Sequence, residues 1–402
     1  MGIEIRAARA DEMDQFGAVT EYAYAGAFGT GGDNVVTRNN QPQWTLCAFV
    51  DGRLATTYSV LPLTMRANGR AVALGGVSAV GTLPEFRRRG LLRRITVQSF
   101  ADMRSRGQAV AALWASQAAI YQRYGYALAS AQMGYRVDPR EIGFGDGDGG
   151  GASVARVFGD AGFEAVKRTY IEFVAARTGY LHRAKPMWLN NALSNAQGAV
   201  HIAVASRAGV PVGYVIYLLH DGSSGHFTRN QEIVVRDLAW LDADAYRSLW
   251  SWLARHDLVG RVHWARAPVD DPAGELFVEP RLLHAELRDG IWLRIVDVAA
   301  ALSGRGYSGR GSLTLQIQDD DLAPWNAGRF RLEVDGDAAT VSATTSRADL
   351  HLDVKALASL YSGYRSARQL RNWALLEAND DAVARADALF ATTHAPHCPD
   401  TF

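Results

Sequence analysis

Hydrophobic and polar residues alternate with two different periods over residues 1–137, and this pattern predicts a mixed α/β domain. Apolar positions three and four apart predict helices over 11–24 and 91–106 and a short helix over 120–124. A period of two predicts strands over 3–8, 44–50, 54–64, 76–82, 109–114 and 127–137. The pairs Asp51-Gly52 and Asn68-Gly69 predict tight hairpin turns between strands.

The glycine-rich run over 143–151 has almost no apolar side chain that could pack, so it predicts a domain boundary. A second α/β block follows, with strands near 200–205, 212–219, 233–239 and 262–266 and a helix near 244–254. Further short strands are expected over 313–317, 329–334, 340–343 and 349–352. The predicted domains are therefore 1–145, 152–289 and 291–402.

The segment 26–43 is rich in Gly, Asn and Thr and predicts a long loop between the first helix and the first hairpin. Loops of this length within compact domains often close over a substrate. The sequence therefore predicts a substrate lid here.

The composition excludes several classes of protein. Lys plus Arg and Asp plus Glu both number 42 among 402 residues, so no net charge favours nucleic acid or an anionic membrane. Cys47 and Cys398 are the two cysteines, which suits a reducing compartment better than a disulfide scaffold. No signal peptide and no apolar stretch of membrane-spanning length is visible. We predict a cytoplasmic protein and leave open an export route without a signal peptide.

The run Arg87-Arg88-Arg89-Gly90 between a strand and a helix predicts a phosphate site. Backbone N–H groups over 88–92 would surround a pyrophosphate at the positive end of the helix, and Arg88, Arg89 and Arg93 would pair with phosphates. The strand Val80-Gly81-Thr82 would offer its edge to the amides of a pantetheine chain. The turn thus predicts coenzyme A, while a solvated basic turn before an ordinary helix is the alternative.

Two further groups could move protons. The Tyr121 phenol follows the next strand and could protonate a departing thiolate, although a tyrosine beside Tyr124 and Tyr126 is also typical of a packed core. The α-carboxylate of Phe402, buried in a cleft, could accept a proton, whereas a frayed terminus is the ordinary expectation. The cluster around His394, His397 and Cys398 has poor geometry for a metal ion, so no metal site is predicted.

The segments VGTLPEFRRRGLLRR, LWASQAAIYQRYGY and IWLRIVDVAAAL, with the terminal Phe402, resemble the enhanced-intracellular-survival (Eis) family of GNAT acetyltransferases. The resemblance implies tandem GNAT domains, the second of them degenerate, and a C-terminal sterol-carrier-protein-like domain. It also implies acetyl-CoA as co-substrate and a homohexamer.

The resemblance assigns roles to particular positions. Tyr121 matches the general acid, and Phe402 matches the terminal residue whose carboxylate is the general base. Thr401 stands where the relatives have an acidic residue, and Gln117 likewise replaces an acidic residue. The cofactor contacts match Val80, Gly81, Thr82, Arg88, Arg89, Gly90, Leu91, Leu92, Arg93, Ser116 and Gln117.

The predicted activity is direct acetyl transfer to primary amines of aminoglycosides, other polyamines or cyclic peptide antibiotics, and to protein lysines. Two alternatives remain open from the sequence. One is a tandem GNAT enzyme that transfers a different acyl group. The other is a lipid-binding or scaffold protein in which the third domain is primary.

Overall fold

A computed structural model describes residues 2–27, 29, 40–145, 150–194, 198–222, 229–336 and 338–402. The chain divides into two compact units. The first holds Met1–Ala129, Ile291–Thr392 and Phe402, and the second holds Ser130–Gly290 and Thr393–Thr401. The predicted lid over 26–43 lies largely outside the described residues, so it stays a prediction.

The described helices and strands follow the chain in three groups. The first comprises β1 (Ile3–Arg6), α1 (Met13–Ala23), β2 (Cys47–Val50), β3 (Arg53–Ala67), β4 (Arg70–Thr82), α2 (Leu91–Ser105), β5 (Val110–Leu113), α3 (Ala118–Gln122) and β6 (Ala127–Leu128). The second comprises β7 (Ala131–Val137), β8 (Ser153–Arg156), α4 (Gly159–Phe173), β9 (Val200–Arg207), β10 (Val210–His220), β11 (Gln231–Trp240), α5 (Ala243–Ala254), β12 (Val259–Pro268) and β13 (Glu286–Asp289). The third comprises β14 (Trp292–Ile295), α6 (Val298–Gly304), β15 (Arg310–Ile317), β16 (Gly328–Asp335), β17 (Ala338–Ala343), β18 (Leu350–Leu352), α7 (Val354–Ser362), α8 (Ala367–Asn372), β19 (Leu376–Glu377) and α9 (Asp380–Phe390).

The first unit contains a seven-stranded sheet with the order β1-β2-β3-β4-β5-β14-β6. Strands β1 to β4 pair antiparallel, and both predicted hairpin turns are present. Strand β5 runs parallel to β4, because α2 forms the crossover between them. Strand β14 fills the place between β5 and β6 and pairs antiparallel with both. The first sheet is therefore completed by a strand that follows residues 130–290 of the second unit in sequence.

A bulge bends β4 near its end. The register runs from Ser59 opposite Ser78 to Thr57 opposite Gly81, so β4 has one more residue than β3 in this interval. Ala79, inside the bulge, adopts a left-handed backbone with φ of 54°. The pairing of β4 with β5 covers only Leu74–Gly76 and Val110–Ala112. Beyond Gly76 the edge of β4 that faces β5 is consequently unpaired in the described sheet.

A buried charge lies where β14 passes the turn after α3. The guanidinium of Arg294 is fully buried and pairs with the Asp320 carboxylate at 2.5 Å. Asn326 donates a hydrogen bond to the same carboxylate at 3.1 Å. A Cβ atom on Gly125, whose φ is 78°, would lie 3.0 Å from Nε of Arg294. The turn after α3 thus requires glycine both for its backbone conformation and for the arginine packed against it.

The same unit contains a five-stranded sheet with the order β17-β16-β15-β18-β19. Its β15 pairs antiparallel with β16 and parallel with β18. Arg305 is fully buried beside this sheet and donates hydrogen bonds to the carbonyl oxygens of Tyr361 and Phe390, each at 2.7 Å. Backbone carbonyls therefore satisfy this charge, which has a structural role.

The second unit is built on a seven-stranded sheet with the order β13-β7-β12-β11-β10-β9-β8. Helix α5 packs on one face around Trp250, and α4 packs on the other around Tyr170. Strands β11 and β12 are parallel, with α5 between them in sequence. This repeats the arrangement of β4, α2 and β5 in the first unit. Residues 393–401 belong to this unit, far in sequence from the rest of it.

Two strands lie in a different sheet from the one expected. The single strand predicted over 127–137 is two strands, since β6 lies in the first sheet and β7 in the second. Strand β14, expected in the third domain, completes the first sheet. Ser130 and Gly290, the first and last residues of the segment 130–290, are adjacent, because the Gly290 N–H donates to the Ser130 carbonyl at 2.9 Å. The predicted boundary at 143–151 stays a prediction, since residues 146–149 are not described.

No helix in the described ranges combines the length and the apolar character that a membrane-spanning segment needs.

We expect Gly125→Ala to destabilise the protein well beyond the penalty of its positive φ. Gly107→Ala is the matched control, because Gly107 has φ of 71° and nothing within 4 Å of its added Cβ. The control costs about 1 kcal/mol for the left-handed backbone. Displacing the buried Arg294 raises the loss for Gly125→Ala to about 3 kcal/mol. Denaturant unfolding measures both free energies, and equal losses would contradict the role assigned to the arginine.

Candidate active site

The N-terminus of α2 is open to a ligand. Gly90 occupies the N-cap with φ of 72°, and no side chain caps the helix. The first intrahelical bond is donated by Arg94 to the Gly90 carbonyl at 3.1 Å. The N–H groups of residues 91–93 precede this bond and have no partner within the helix. Unpaired N–H groups and the helix dipole at such an end attract anions.

The arginines of the turn differ in how they are held. Arg87 donates to the Thr82 carbonyl at 3.0 Å, and Arg89 donates to the Glu85 carbonyl at 2.8 Å. Arg93 lies 3.9 Å from Asp321, at the limit of an ion pair. Arg88 is exposed and has no hydrogen-bond or ion-pair partner in the described part of the chain. Its guanidinium is therefore available to a phosphate without breaking a protein contact.

The end of β4 is fixed by α1 and β3. Tyr24, just after α1, donates its hydroxyl to the Val80 carbonyl at 2.9 Å. A Cβ on Gly81 would lie 2.9 Å from Cβ of Ala23, so glycine permits the helix to approach the strand. The hydroxyl of Thr82 contacts that of Thr56 at 3.1 Å. These contacts hold Val80, Gly81 and Thr82 in place beyond the point where β4 leaves β5.

Tyr121 lies in α3 and is 6% exposed. Its ring packs edge-on against the ring of Tyr126, with centroids 6.0 Å apart. Burial raises the pKa of the Tyr121 phenol well above its ordinary value, and the nearby Tyr24 and Tyr58 raise it further. A hydrogen bond with Ser116 acts in the opposite direction. The phenol is consequently protonated at neutral pH and held in a fixed environment.

Ser116 and Gln117 form the exposed turn between β5 and α3. The Ser116 side chain lowers the pKa of both the Tyr24 and the Tyr121 phenols, against the larger effect of burial. It thereby connects the residue that fixes Val80 with the phenol of Tyr121. Gln117 is the N-cap of α3, and its side chain makes no capping hydrogen bond.

The last residue of the chain packs against the first sheet. Phe402 is partly buried, and its Cδ2 would lie 3.0 Å from a Cβ on Gly76. Gly76 is the last residue of β4 that pairs with β5. The Phe402 ring therefore lies where the two strands part.

The sequence prediction missed several contributors to this site. Nothing in the sequence around Tyr24 distinguishes it from an aromatic residue packed in the core. Tyr58 and Gly76 were not singled out. The pair Gly75-Gly76 inside a strand was an available signal, because glycine within a strand often marks a close approach. Within the described residues, no group of three or more His, Cys, Asp or Glu side chains could hold a metal ion.

The corresponding helix of the second unit has a closed N-terminus. Asp242 is the N-cap of α5 and accepts a hydrogen bond from the N–H of Ala245 at 2.9 Å. A second carboxylate, Asp244, lies in the first turn, and Arg207 pairs with Asp242 at 2.8 Å. Two carboxylates at this helix end repel a phosphate and occupy a donor that it would need. The two α/β domains therefore differ in whether they can hold a phosphate.

Comparisons with known proteins identify the domains of the chain. Models of the acetyltransferase (GNAT) domain match residues 4–129 and 179–295, and a model of the sterol carrier protein domain matches residues 298–399. The protein thus consists of two GNAT domains and a C-terminal domain of the sterol-carrier-protein type, as the sequence predicted. The fold and the site define a GNAT N-acetyltransferase.

Individual relatives narrow the class to a family. An N-acetyltransferase of Streptomyces avermitilis is 31% identical over 382 residues, which cover 90% of this chain and 89% of the relative. The N-acetyltransferase Eis of Mycobacterium bovis BCG is 33% identical over 330 residues, covering 79% of this chain and 78% of the relative. The crystal structure of Eis1 from Mycobacterium abscessus superposes with a TM-score of 0.83 at 30% identity, over the full length of both chains. The chain belongs to the Eis family of N-acetyltransferases.

The GNAT fold implies acetyl-CoA as co-substrate, and the residues present fit it. Uncapped N–H groups and the unpartnered Arg88 suit the pyrophosphate. The unpaired edge of β4 beyond Gly76 suits the extended pantetheine chain, whose amides can pair with a strand.

We expect Arg88→Ala to weaken acetyl-CoA binding about 10-fold, or roughly 1.4 kcal/mol, because a charged hydrogen bond to phosphate is lost. Alanine keeps the Cβ, so the backbone at the φ of 61° is equally strained in both proteins. Arg106→Ala is the control, since it removes an exposed arginine from the opposite end of α2. Calorimetric titration measures both, and equal affinities for the two variants would contradict the assignment.

Proposed function

We propose that the protein transfers the acetyl group of acetyl-CoA to primary amines of aminoglycosides, other polyamines or cyclic peptide antibiotics, and to protein lysines. One observation carries the proposal: α2 with its open N-terminus, the unpaired end of β4, the buried Tyr121 and the terminal Phe402 all belong to the first unit. The name of the mycobacterial relatives supports the family activity.

In this proposal the cofactor follows β4. The pyrophosphate binds the N–H groups of Leu91, Leu92 and Arg93, with Gly90 allowing close approach and Arg88 and Arg89 nearby. The pantetheine amides pair with Val80, Gly81 and Thr82. The Ser116 and Gln117 turn contacts the cofactor near its thioester end. Cofactor binding thus uses all the positions that the family resemblance assigned.

The reaction is a direct transfer. The substrate amine forms a C–N bond with the thioester carbonyl carbon, and backbone N–H groups near Val80 stabilise the oxyanion. The C–S bond then breaks, and the thiolate takes the proton of the Tyr121 phenol. The Phe402 carboxylate accepts the proton that the amine loses. Solvent returns that proton to Tyr121, so the enzyme leaves the cycle unchanged.

The raised pKa of Tyr121 is compatible with this role. A buried phenol stays protonated through the pH range in which amines become nucleophilic, so Tyr121 carries its proton throughout that range. Its proton must reach a thiolate, whose thiol has a pKa near ~8.5 in water. The same burial disfavours the thiolate and raises the pKa of that thiol, which reduces the mismatch.

We also propose the assembly and location that the resemblance implies. The protein would be a homohexamer in the cytoplasm. Light scattering on the purified protein measures the assembly, and a mass other than six chains would contradict it.

A substrate panel tests the proposed function. The purified protein is incubated with acetyl-CoA and, in separate reactions, an aminoglycoside, a linear polyamine, a cyclic peptide antibiotic and a lysine-containing peptide. We expect thiol release together with the mass of an acetyl group on the acceptor. Longer acyl-CoA donors form a parallel arm, because faster transfer of a longer chain would favour a different acyltransferase. Absence of release with every acceptor and donor would refute the enzyme assignment.

We expect Tyr121→Phe to lower kcat about 100-fold while KM for acetyl-CoA changes less than about 3-fold, because only proton donation is removed. Tyr126→Phe is the control. It removes a hydroxyl from the ring that packs against Tyr121, and that buried hydroxyl has no hydrogen-bond partner among the described residues. The pH profile of the native enzyme should show no loss from phenol ionisation up to pH about 10, since burial raises the pKa of Tyr121. Weaker cofactor binding in Tyr121→Phe with unchanged kcat would contradict the acid role.

We expect conversion of the Phe402 carboxylate to an amide by chemical ligation to lower kcat about 100-fold, because the general base is removed while its shape is kept. The same ligation with the native carboxylate is the control. Phe402→Leu changes the side chain but keeps the carboxylate, so it should retain most of the activity. An amidated enzyme with native kcat would show that another group accepts the proton.

A further inference from the structure

The bulge of β4 contains a residue in a backbone conformation that its side chain disfavours. Ala79 and Val80 together lie opposite Tyr58, and Ala79 has φ of 54°. Bulges with a left-handed first residue ordinarily have glycine there, because a Cβ crowds the following carbonyl. Such a conformation persists only where the surroundings hold it, and it is often found at functional sites. The contacts around the bulge should therefore show what holds it.

Side-chain donors hold the carbonyl groups on both sides of the bulge. The carbonyls of residues 78, 80, 81 and 82 each accept a hydrogen bond from a side chain. The donors are Ser59 to Ser78 at 3.1 Å, Tyr24 to Val80 at 2.9 Å, Thr57 to Gly81 at 3.4 Å and Arg87 to Thr82 at 3.0 Å. The bond from Tyr24 is the shortest of the four, and it reaches a carbonyl of the bulge itself.

Tyr24 is itself held in place by the end of α1. Its N–H donates to the Thr20 carbonyl at 3.0 Å, which continues the bonding of the helix. The helix can approach β4 because a Cβ on Gly81 would lie 2.9 Å from Cβ of Ala23. Burial raises the pKa of the Tyr24 phenol, so the hydroxyl keeps the proton that it donates. A fixed backbone thus presents this hydroxyl to the Val80 carbonyl.

The peptide groups of the bulge are those that the proposed reaction uses. Backbone N–H donors stabilise an oxyanion strongly only when they already point to the place where the charge develops. The N–H of Val80 lies in the peptide plane that follows Ala79, so a change of the backbone at Ala79 turns this N–H. The Tyr24 hydroxyl holds the next peptide plane by its carbonyl and thereby opposes that change.

We infer that Tyr24 is a positioning residue for the oxyanion donors at Val80. The inference rests on the proposed function, in which these donors stabilise the oxyanion formed from the thioester carbonyl. The hydroxyl holds the bulge in the left-handed backbone that Ala79 disfavours. Without the hydroxyl the bulge relaxes, and the Val80 N–H turns away from the thioester oxygen.

The experiment compares Tyr24→Phe, which removes only the hydroxyl, with Tyr22→Phe. Tyr22 belongs to the same helix, is 63% exposed, and its hydroxyl has no hydrogen-bond partner in the described part of the chain. A third protein combines Tyr24→Phe with Ala79→Gly, because glycine adopts a left-handed backbone without strain. Thermal unfolding checks that each variant is folded.

The first measurement is the difference infrared spectrum of acetyl-CoA, isotope-labelled in the thioester carbonyl and bound to each full-length protein without an acceptor. A hydrogen bond to this carbonyl lowers its stretching frequency, so the band reports the contact directly. The second measurement is acetyl-CoA affinity by calorimetry. The third is kcat with the acceptor identified by the substrate panel. The infrared measurement does not require an acceptor.

For Tyr24→Phe we expect the carbonyl band to move back toward its frequency in free acetyl-CoA. We expect kcat to fall at least ~10-fold with acetyl-CoA affinity within about 3-fold of native, because a misplaced oxyanion donor weakens the transition state more than the bound ground state. Tyr22→Phe should match the native enzyme. Adding Ala79→Gly to Tyr24→Phe should recover part of the lost kcat and of the band shift, since it removes the strain that the hydroxyl counteracts.

A band and a kcat that Tyr24→Phe leaves at their native values would overturn the positioning role. Weaker acetyl-CoA binding with an unchanged band would overturn it too, because Tyr24 would then act only on cofactor affinity. A native enzyme whose bound carbonyl has the frequency of free acetyl-CoA would instead refute the oxyanion contact of the proposed function, and the inference with it. The native spectrum therefore distinguishes failure of the proposed function from failure of the inference alone.

Discussion

The surroundings of Tyr121 depend on one buried ion pair, which the guanidinium of Arg294 forms with the Asp320 carboxylate. Arg294 belongs to β14, which follows residues 130–290 in sequence and completes the first sheet. Its partners Asp320 and Asn326 lie in the connection that follows β15, so the third part of the chain is tied to the sheet beside α3. Because a buried charge tolerates few alternative arrangements, the strand, the turn at Gly125 and the connection are fixed together.

Two backbone features of the same unit form the proposed cofactor site. The bulge around Ala79 and the short pairing between β4 and β5 leave a free strand edge, and Gly90 leaves a free helix end. The second unit shares the strand feature, because β11 also has one extra residue opposite β10 and pairs with β12 only up to Val235. It differs at the helix end, where Asp242 caps the corresponding helix. The two copies of the fold thus differ, among the described residues, at a helix N-terminus rather than in topology.

Much of the first domain could be predicted from the sequence, because its signals are local. The hairpin turns, the helix after the arginine run and the short helix holding Tyr121 all follow from periodicity and turn chemistry. The sheet membership of β7 and β14 could not be predicted, because it depends on pairing between residues far apart in sequence, such as Val137 with Val262 and Leu113 with Trp292. Residues 127–137 have the pattern of one strand in the sequence. In the structure β6 and β7 are separated at Ser130, whose carbonyl accepts a hydrogen bond from the Gly290 N–H. The packing of Phe402 at Gly76 is equally non-local; the family resemblance, and not the residues themselves, indicated that the chain end matters.

We propose that acetyl-CoA binds along β4, with its pyrophosphate at α2 and its thioester at Tyr121. A crystal structure with coenzyme A bound tests this claim most directly. We expect the pyrophosphate oxygens to lie within hydrogen-bond distance of the N–H groups of Leu91, Leu92 and Arg93. We also expect the cofactor sulfur to lie within hydrogen-bond distance of the Tyr121 hydroxyl. A pyrophosphate bound in the second unit, or a sulfur remote from Tyr121, would contradict it.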